Sequence, residues 1–170
     1  WLHGGLLHIF FNMMWVRQVG PAVIEFYGIS RMIIIYTVSG IVGFVASSLA
    51  GRYMGGFLGG AGWTIGASAS IFGLIAALIY YSRRGGSSIV GQQARMWAIF
   101  LFIFGFMMQG VDNWAHLGGF VGGYLSSAWL DPLKPERGDH LLGAFLCLAL
   151  TALAIVYSVI HGLGLFMASS

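Results

Sequence analysis

The sequence predicts an all-α polytopic membrane protein, a bundle of six transmembrane helices. Three observations carry this: a composition too apolar for water, apolar runs of spanning length, and a one-sided distribution of basic residues. Hydrophobic residues make up 58% of the 170-residue chain, charged residues only 8%, and the mean hydropathy is +0.86. A soluble domain carries about a quarter of its residues as Asp, Glu, Lys and Arg. The composition therefore excludes an ordinary soluble enzyme, a disordered chain and a nucleic-acid binder. The pI near 9.3 reflects a net charge of only +3, which is no phosphate-binding surface. A single cysteine, Cys147, excludes a disulfide framework and a Cys-based zinc site. The 27 glycines, in so apolar a chain, point to close helix–helix contacts. The chain opens Trp1-Leu2-His3, with neither an initiating Met nor a basic n-region. No signal peptide is therefore discounted, and upstream residues are expected to have been lost.

At about 20 residues per span, six segments follow in order. The first runs from about His3 to Val19 and is expected to stop at Gly20-Pro21. The second runs from about Ser30, a candidate N-cap, to Leu49, and a Gly-rich joint follows over Gly51 to Gly62. The third runs from about Ile65 to Ser82 and ends at Arg83-Arg84-Gly85-Gly86. The fourth runs from about Gln93 to Met108, and the fifth from Asp112 or Asn113 to Asp131-Pro132. A polar linker, Asp131 to Asp139, holds five of the thirteen charges, and the sixth segment runs from about His140 to His161. The organisation expected is a core over 1–131, a cytoplasmic linker over 132–139 and an additional C-terminal span over 140–170.

The first, third and fifth joints hold seven of the eight basic residues: Arg17, Arg31, Arg83, Arg84, Arg95, Lys134 and Arg137. The second joint holds only Arg52. By the positive-inside rule the odd joints face the cytoplasm. The first, third and fifth helices then all begin on the outer side.

Polar residues inside a span are expensive and suggest function. Near the expected outer ends lie His3, His8 and Asn12 in the first helix, Gly66-Ala67-Ser68-Ala69-Ser70 in the third, and Asp112-Asn113-Trp114-Ala115-His116 in the fifth. At about 1.5 Å rise per residue, Ser68 and His116 fall within the first two turns of their helices, at similar depth. A lone Ser in a membrane helix usually bonds its own backbone or packs as a small residue. Ser39, Ser47, Ser126 and Ser127 are read that way, and His140 and His161 as interfacial. Ser68, His116, His8 and Asn12 differ because they share one depth.

Together they suit acyl transfer. A Ser hydroxyl needs an adjacent base, His supplies one near neutral pH, and the tetrahedral oxyanion needs preorganised donors. Asn12 offers an amide, His8 a ring N–H on the same helix face four residues away, and Ser68 its backbone N–H. Asp112, one turn before His116, is read as a helix-start residue, so a dyad is favoured over a triad. No His-Glu-x-x-His or paired carboxylate supports a metal site, and neither metal nor cofactor is expected.

The series His3-x-x-x-x-His8-x-x-x-Asn12, then Gly66-Ala67-Ser68-Ala69, then Ala115-His116-x-x-Gly119-x-x-x-Gly123 resembles the rhomboid intramembrane serine proteases. The likeness covers about residues 1 to 131. It implies a rhomboid-like helical bundle that hydrolyses peptide bonds in transmembrane protein substrates within the lipid bilayer. It implies Ser68 as nucleophile, His116 as base, and His8, Asn12 and the Ser68 backbone as the oxyanion hole. Gly66 opens the motif, Phe72 stands where the family has a ring against the imidazole, and Gly119 and Gly123 let the fifth helix approach the third. Ala69 departs from the family's usual Gly. The family's helix before His3, and its loop with a Trp-Arg motif, are missing from this sequence. A multi-pass protein of a prokaryotic inner membrane, with its site toward the outer face, suits the short joints. The alternative reading is a proteolytically inactive relative that binds transmembrane clients.

Overall fold

A computed structural model describes residues 5–54, 64–108 and 111–169, with side chains to residue 161. His3, most of the Gly-rich joint and Gln109 lie outside the described residues. The described residues form six helices and no strands: α1 (Leu6–Tyr27), α2 (Ile29–Tyr53), α3 (Ser68–Arg83), α4 (Ser88–Met107), α5 (Asn113–Trp129) and α6 (Gly138–Ser169). Ile29–Tyr53, Ser88–Met107 and Gly138–His161 are long and apolar enough to cross a membrane. The chain is an integral, multi-pass membrane protein. In α4 and α6, exposed side chains such as Phe100, Ile103, Phe145 and Leu153 form apolar surfaces suited to lipid.

α3 is the centre. Eleven of its 16 residues are buried, as expected of a helix that is apolar all round. Leu74, Ile75 and Leu78 pack with Val19, Val23 and Tyr27 of α1 and Ile35 of α2. α5 lies between α2 and α3, with glycines turned to both. A Cβ on Gly119 would meet the main chain of Ala69, with its carbonyl carbon at 2.7 Å, and one on Gly123 would strike the main chain of Gly73. On the other side, a Cβ on Gly118 would lie 2.9 Å from the Val42 carbonyl oxygen, and one on Gly122 would lie 2.8 Å from the Val42 Cβ. Two Gly-x-x-x-Gly stripes therefore seat one helix against two neighbours.

Several helix boundaries differ from the expectation. α1 does not stop at Gly20-Pro21 but carries Pro21 inside it and ends at Tyr27. Proline is tolerated in membrane helices because neighbouring groups re-satisfy the freed carbonyl. The chain reverses instead at Gly28, whose φ of 81° is open to glycine. Arg17 consequently lies within α1 rather than in a joint. Ser30 is not the N-cap of α2. Gly28 holds that position without a side-chain bond, and a distant carboxylate caps the helix. Glu136 Oε1 accepts from the backbone N–H groups of Ser30 at 2.9 Å and Arg31 at 3.2 Å.

The buried Arg31 guanidinium donates from Nη1 to the carbonyls of Leu130, Asp131 and Lys134 at 3.0, 2.9 and 2.8 Å, and from Nε to Tyr27. The segment after α5 is thus bound to the α1–α2 corner. α3 begins at Ser68 rather than Ile65, and α4 at Ser88 rather than Gln93, with Ser87 Oγ accepting from Val90 N–H. α5 starts as expected, capped by Asp112 through Ala115 N–H at 3.0 Å. α6 starts at Gly138, two residues before the expected His140.

Candidate active site

The N-terminal ends of α1, α3 and α5 converge. Ser68, the first residue of α3, and His116, the fourth of α5, meet with Ser68 Oγ 3.0 Å from His116 Nε2. His116 is 6% exposed, and its Nδ1 is buried without a hydrogen-bond partner among the described residues. Phe72, one turn after Ser68, stacks on the imidazole at 4.4 Å between ring centres and 22° between planes. One face of the ring is therefore fixed by α3 itself. The close backbone contact of Gly119 with Ala69, one turn past His116, holds the two helices at the separation this bond requires.

Gly66 sets the approach to Ser68. Its φ is 110°, a conformation that other residues rarely adopt. A Cβ there would lie 2.6 Å from His8 Nε2 and 3.8 Å from Asn12 Nδ2. The positive φ falls at Gly66 and not at residue 69, which is helical. Ala69 in place of glycine is thus accommodated. Asn12 is 5% exposed; its Nδ2 donates to the His8 carbonyl at 2.8 Å, and its Oδ1 is buried without a partner among the described residues. His8, Asn12, Gly66, Ser68, Phe72 and His116 accordingly occupy one region.

Asp112 does more than start a helix. Its Oδ2 accepts from the hydroxyls of Ser47 on α2 and Thr64 on the approach to Ser68, and those hydroxyl oxygens lie 2.7 Å apart. Ser47 was expected to be a packing residue, as Ser39, Ser126 and Ser127 are, each bonded to a carbonyl of its own helix. Ser47 instead bonds across elements. The sequence signal for Ser47 is its depth, counted along α2 from the helix end, as for Ser68 and His116. Thr64 carries no sequence signal.

The chemistry open to this arrangement is that of a hydroxyl beside an imidazole at the foot of a short helix. α3 is 16 residues long, about 24 Å at 1.5 Å per residue, against a hydrocarbon core of about 30 Å. A residue at its end can therefore sit below the membrane surface.

The fold is that of a known class of membrane protein. The Rhomboid domain family matches residues 1–132, and the chain belongs to the rhomboid family. It is 34% identical over 164 residues to the Rhomboid protease GluP of Bacillus subtilis (strain 168), covering 94% of this chain and 30% of that protein. It is 32% identical to RHOMBOID-like protein 1 of Arabidopsis thaliana, over 81% of this chain and 34% of that protein. The Inactive RHOMBOID-like protein 8 of the same plant is also 32% identical, over 71% of this chain and 33% of that protein. The chain thus spans about a third of the length of these relatives.

Proposed function

We propose that this chain carries the catalytic core of an intramembrane serine endopeptidase that cleaves transmembrane segments of membrane-protein substrates through an acyl-enzyme. The observation that carries the reading is the 3.0 Å contact between Ser68 Oγ and His116 Nε2. In this reading His116 holds its proton on Nδ1, and Nε2 accepts the Ser68 proton as Oγ attacks the scissile carbonyl. The ester bond forms as the carbonyl π bond opens. The tetrahedral oxyanion is received by His8, Asn12 and the Ser68 N–H, grouped around Gly66. Collapse breaks the peptide C–N bond, and His116 returns the proton to the leaving amine. Water then hydrolyses the acyl-enzyme by the same two steps.

A helical peptide bond hides its carbonyl in the i to i+4 ladder, so a substrate span with helix-breaking residues near the site is favoured. Residues 1–131 form the protease core, 132–139 the linker and 140–170 an added span. We place the site toward the outer face of the membrane on the distribution of basic residues, and the short joints suit a prokaryotic plasma membrane. The family match and the name of the Bacillus relative support the protease reading.

Labelling of the detergent-solubilised chain by a fluorophosphonate probe tests it. The expectation is stoichiometric labelling of the wild type and none of Ser68→Ala or His116→Ala. An unlabelled but folded wild type would instead favour the client-binding reading, as in an inactive relative.

A further inference from the structure

The Asp112 carboxylate uses both oxygens, and on different elements. Oδ1 accepts the Ala115 N–H at 3.0 Å and so closes the first turn of α5, the turn that ends at His116. Oδ2 receives the hydroxyls of Ser47 and Thr64. Ser47 is 2% exposed and belongs to α2, while Thr64 lies four residues before Ser68, with the positive-φ Gly66 between them. The Asp112 carbonyl also accepts the His116 backbone N–H at 3.1 Å. One residue therefore joins the segment that delivers Ser68 to the turn that presents His116, with α2 as the fixed post.

We infer that Asp112 is a positioning residue for the Ser68–His116 pair, a carboxylate strap joining Thr64 and Ser47 to the start of α5. This rests on the protease reading above. The carboxylate does not bond the imidazole: His116 Nδ1 has no hydrogen-bond partner among the described residues. Asp112 thus acts on the geometry of attack and not as a third member of a proton relay. A bare helix cap would need only Oδ1. The two hydroxyls gathered on Oδ2 from separate elements set this carboxylate apart from one.

The strap can be cut on one side without touching the cap. Thr64→Val keeps the shape of the side chain and the Ala115 bond but removes the hydroxyl, and Thr64→Ser keeps the hydroxyl. The experiment is fluorophosphonate labelling of the full chain, resolved into the maximal rate of inactivation and the half-saturating probe concentration. Ser68→Ala serves as the blank, and thermal unfolding is measured in parallel. Displacing a reacting group by an ångström costs about 100-fold in rate. Thr64→Val should therefore lower the maximal rate by about 10- to 100-fold with the half-saturating concentration unchanged. Thr64→Ser should restore it, and Asp112→Ala should fall at least as far as Thr64→Val.

Wild-type rates in a folded Thr64→Val would overturn the inference while leaving the Ser68–His116 reading intact. Equal loss in Thr64→Val and Thr64→Ser would also overturn it, because the hydroxyl would then not be the cause. If Asp112→Ala does not fold, the two Thr64 variants decide alone. A wild type that Ser68→Ala matches, with neither labelled, would remove the protease reading and this inference together.

Discussion

Gly123 of α5 lies so close to the main chain of Gly73 in α3 that a Cβ on Gly123 would collide with it, and Gly119 stands in the same relation to Ala69. This crossing fixes the separation of the two helices whose N-terminal ends carry Ser68 and His116. Ala is a better helix former than Gly by roughly 1 kcal/mol, yet here the collision is with backbone, which cannot rotate away. Gly119→Ala is expected to lower stability by about 1–3 kcal/mol, the usual cost of overpacking. It should also slow active-serine labelling by more than that loss explains. Thermal unfolding and labelling of one detergent sample check both.

Phe72 contributes a stacked face to the His116 ring. Aromatic pairs of this kind are worth about 0.5–1.5 kcal/mol beyond their buried area. Phe72→Ala is expected to slow labelling about tenfold by releasing the imidazole from its rotamer. Phe72→Tyr, which keeps the ring, should stay near the wild type. Labelling rates with the same probe separate the two.

Asn12 carries a buried amide next to Gly66, with one N–H given to the His8 carbonyl and an Oδ1 unpartnered among the described residues. In the proposed oxyanion hole its amide would be required only when negative charge develops. Loss of one such donor costs about 100-fold in turnover. Asn12→Ala is therefore expected to lower kcat about 100-fold with KM little changed. Steady-state cleavage of a fluorogenic transmembrane peptide measures this.

The end of the bundle opposite Ser68 is held by charge. The Leu133 N–H donating to Oδ1 of Asp131, and then Arg84 beside Oδ2, hold that carboxyl below its ordinary value of 3.8. A depressed folded value means the ionised form stabilises the fold. That contribution is complete above the unfolded value and is lost as pH falls through the folded one. The unfolding temperature should be level above about pH 5 and drop below about pH 4. Asp131→Asn should remove its share of that acid limb. Thermal unfolding from pH 3 to 7 measures the difference.

Glu136, in the segment between α5 and α6, caps α2. Loss of a helix cap costs about 1 kcal/mol. Glu136→Ala should lower the unfolding temperature accordingly at neutral pH, without changing the rate of serine labelling, since Ser68 lies at the opposite end. The same two measurements test this.

Much of this structure is legible along the sequence. Spans follow from apolar length, and the shared depth of Ser68 and His116 follows from counting residues from the ends of α3 and α5. Asp112 is recognisable as a cap because a short acceptor stands just before an apolar helix. Three features escape. Pro21 reads as a stop, but membrane burial suppresses alternatives to the helix, and the reversal falls at Gly28. Ser30 reads as a cap, but Glu136, more than a hundred residues away in sequence, does the capping. Ser47 reads as packing because a lone membrane serine normally bonds its own helix, as Ser39 does. The misses at Ser30 and Ser47 are long-range contacts overriding a local preference. The two glycine stripes of α5 lie between these cases: the Gly119 and Gly123 face is readable, while the use of Gly118 and Gly122 against α2 depends on a third helix.

In the proposed function Ser68, activated by His116, cleaves a peptide bond inside the membrane. The most direct measurement reconstitutes the chain in liposomes with a single-span substrate that carries a helix-breaking pair near its outer end. Fragments are followed by mass spectrometry for wild type, Ser68→Ala and His116→Ala. A cut within the span by the wild type, and none by either variant, is expected. Undiminished cleavage by Ser68→Ala would contradict that function.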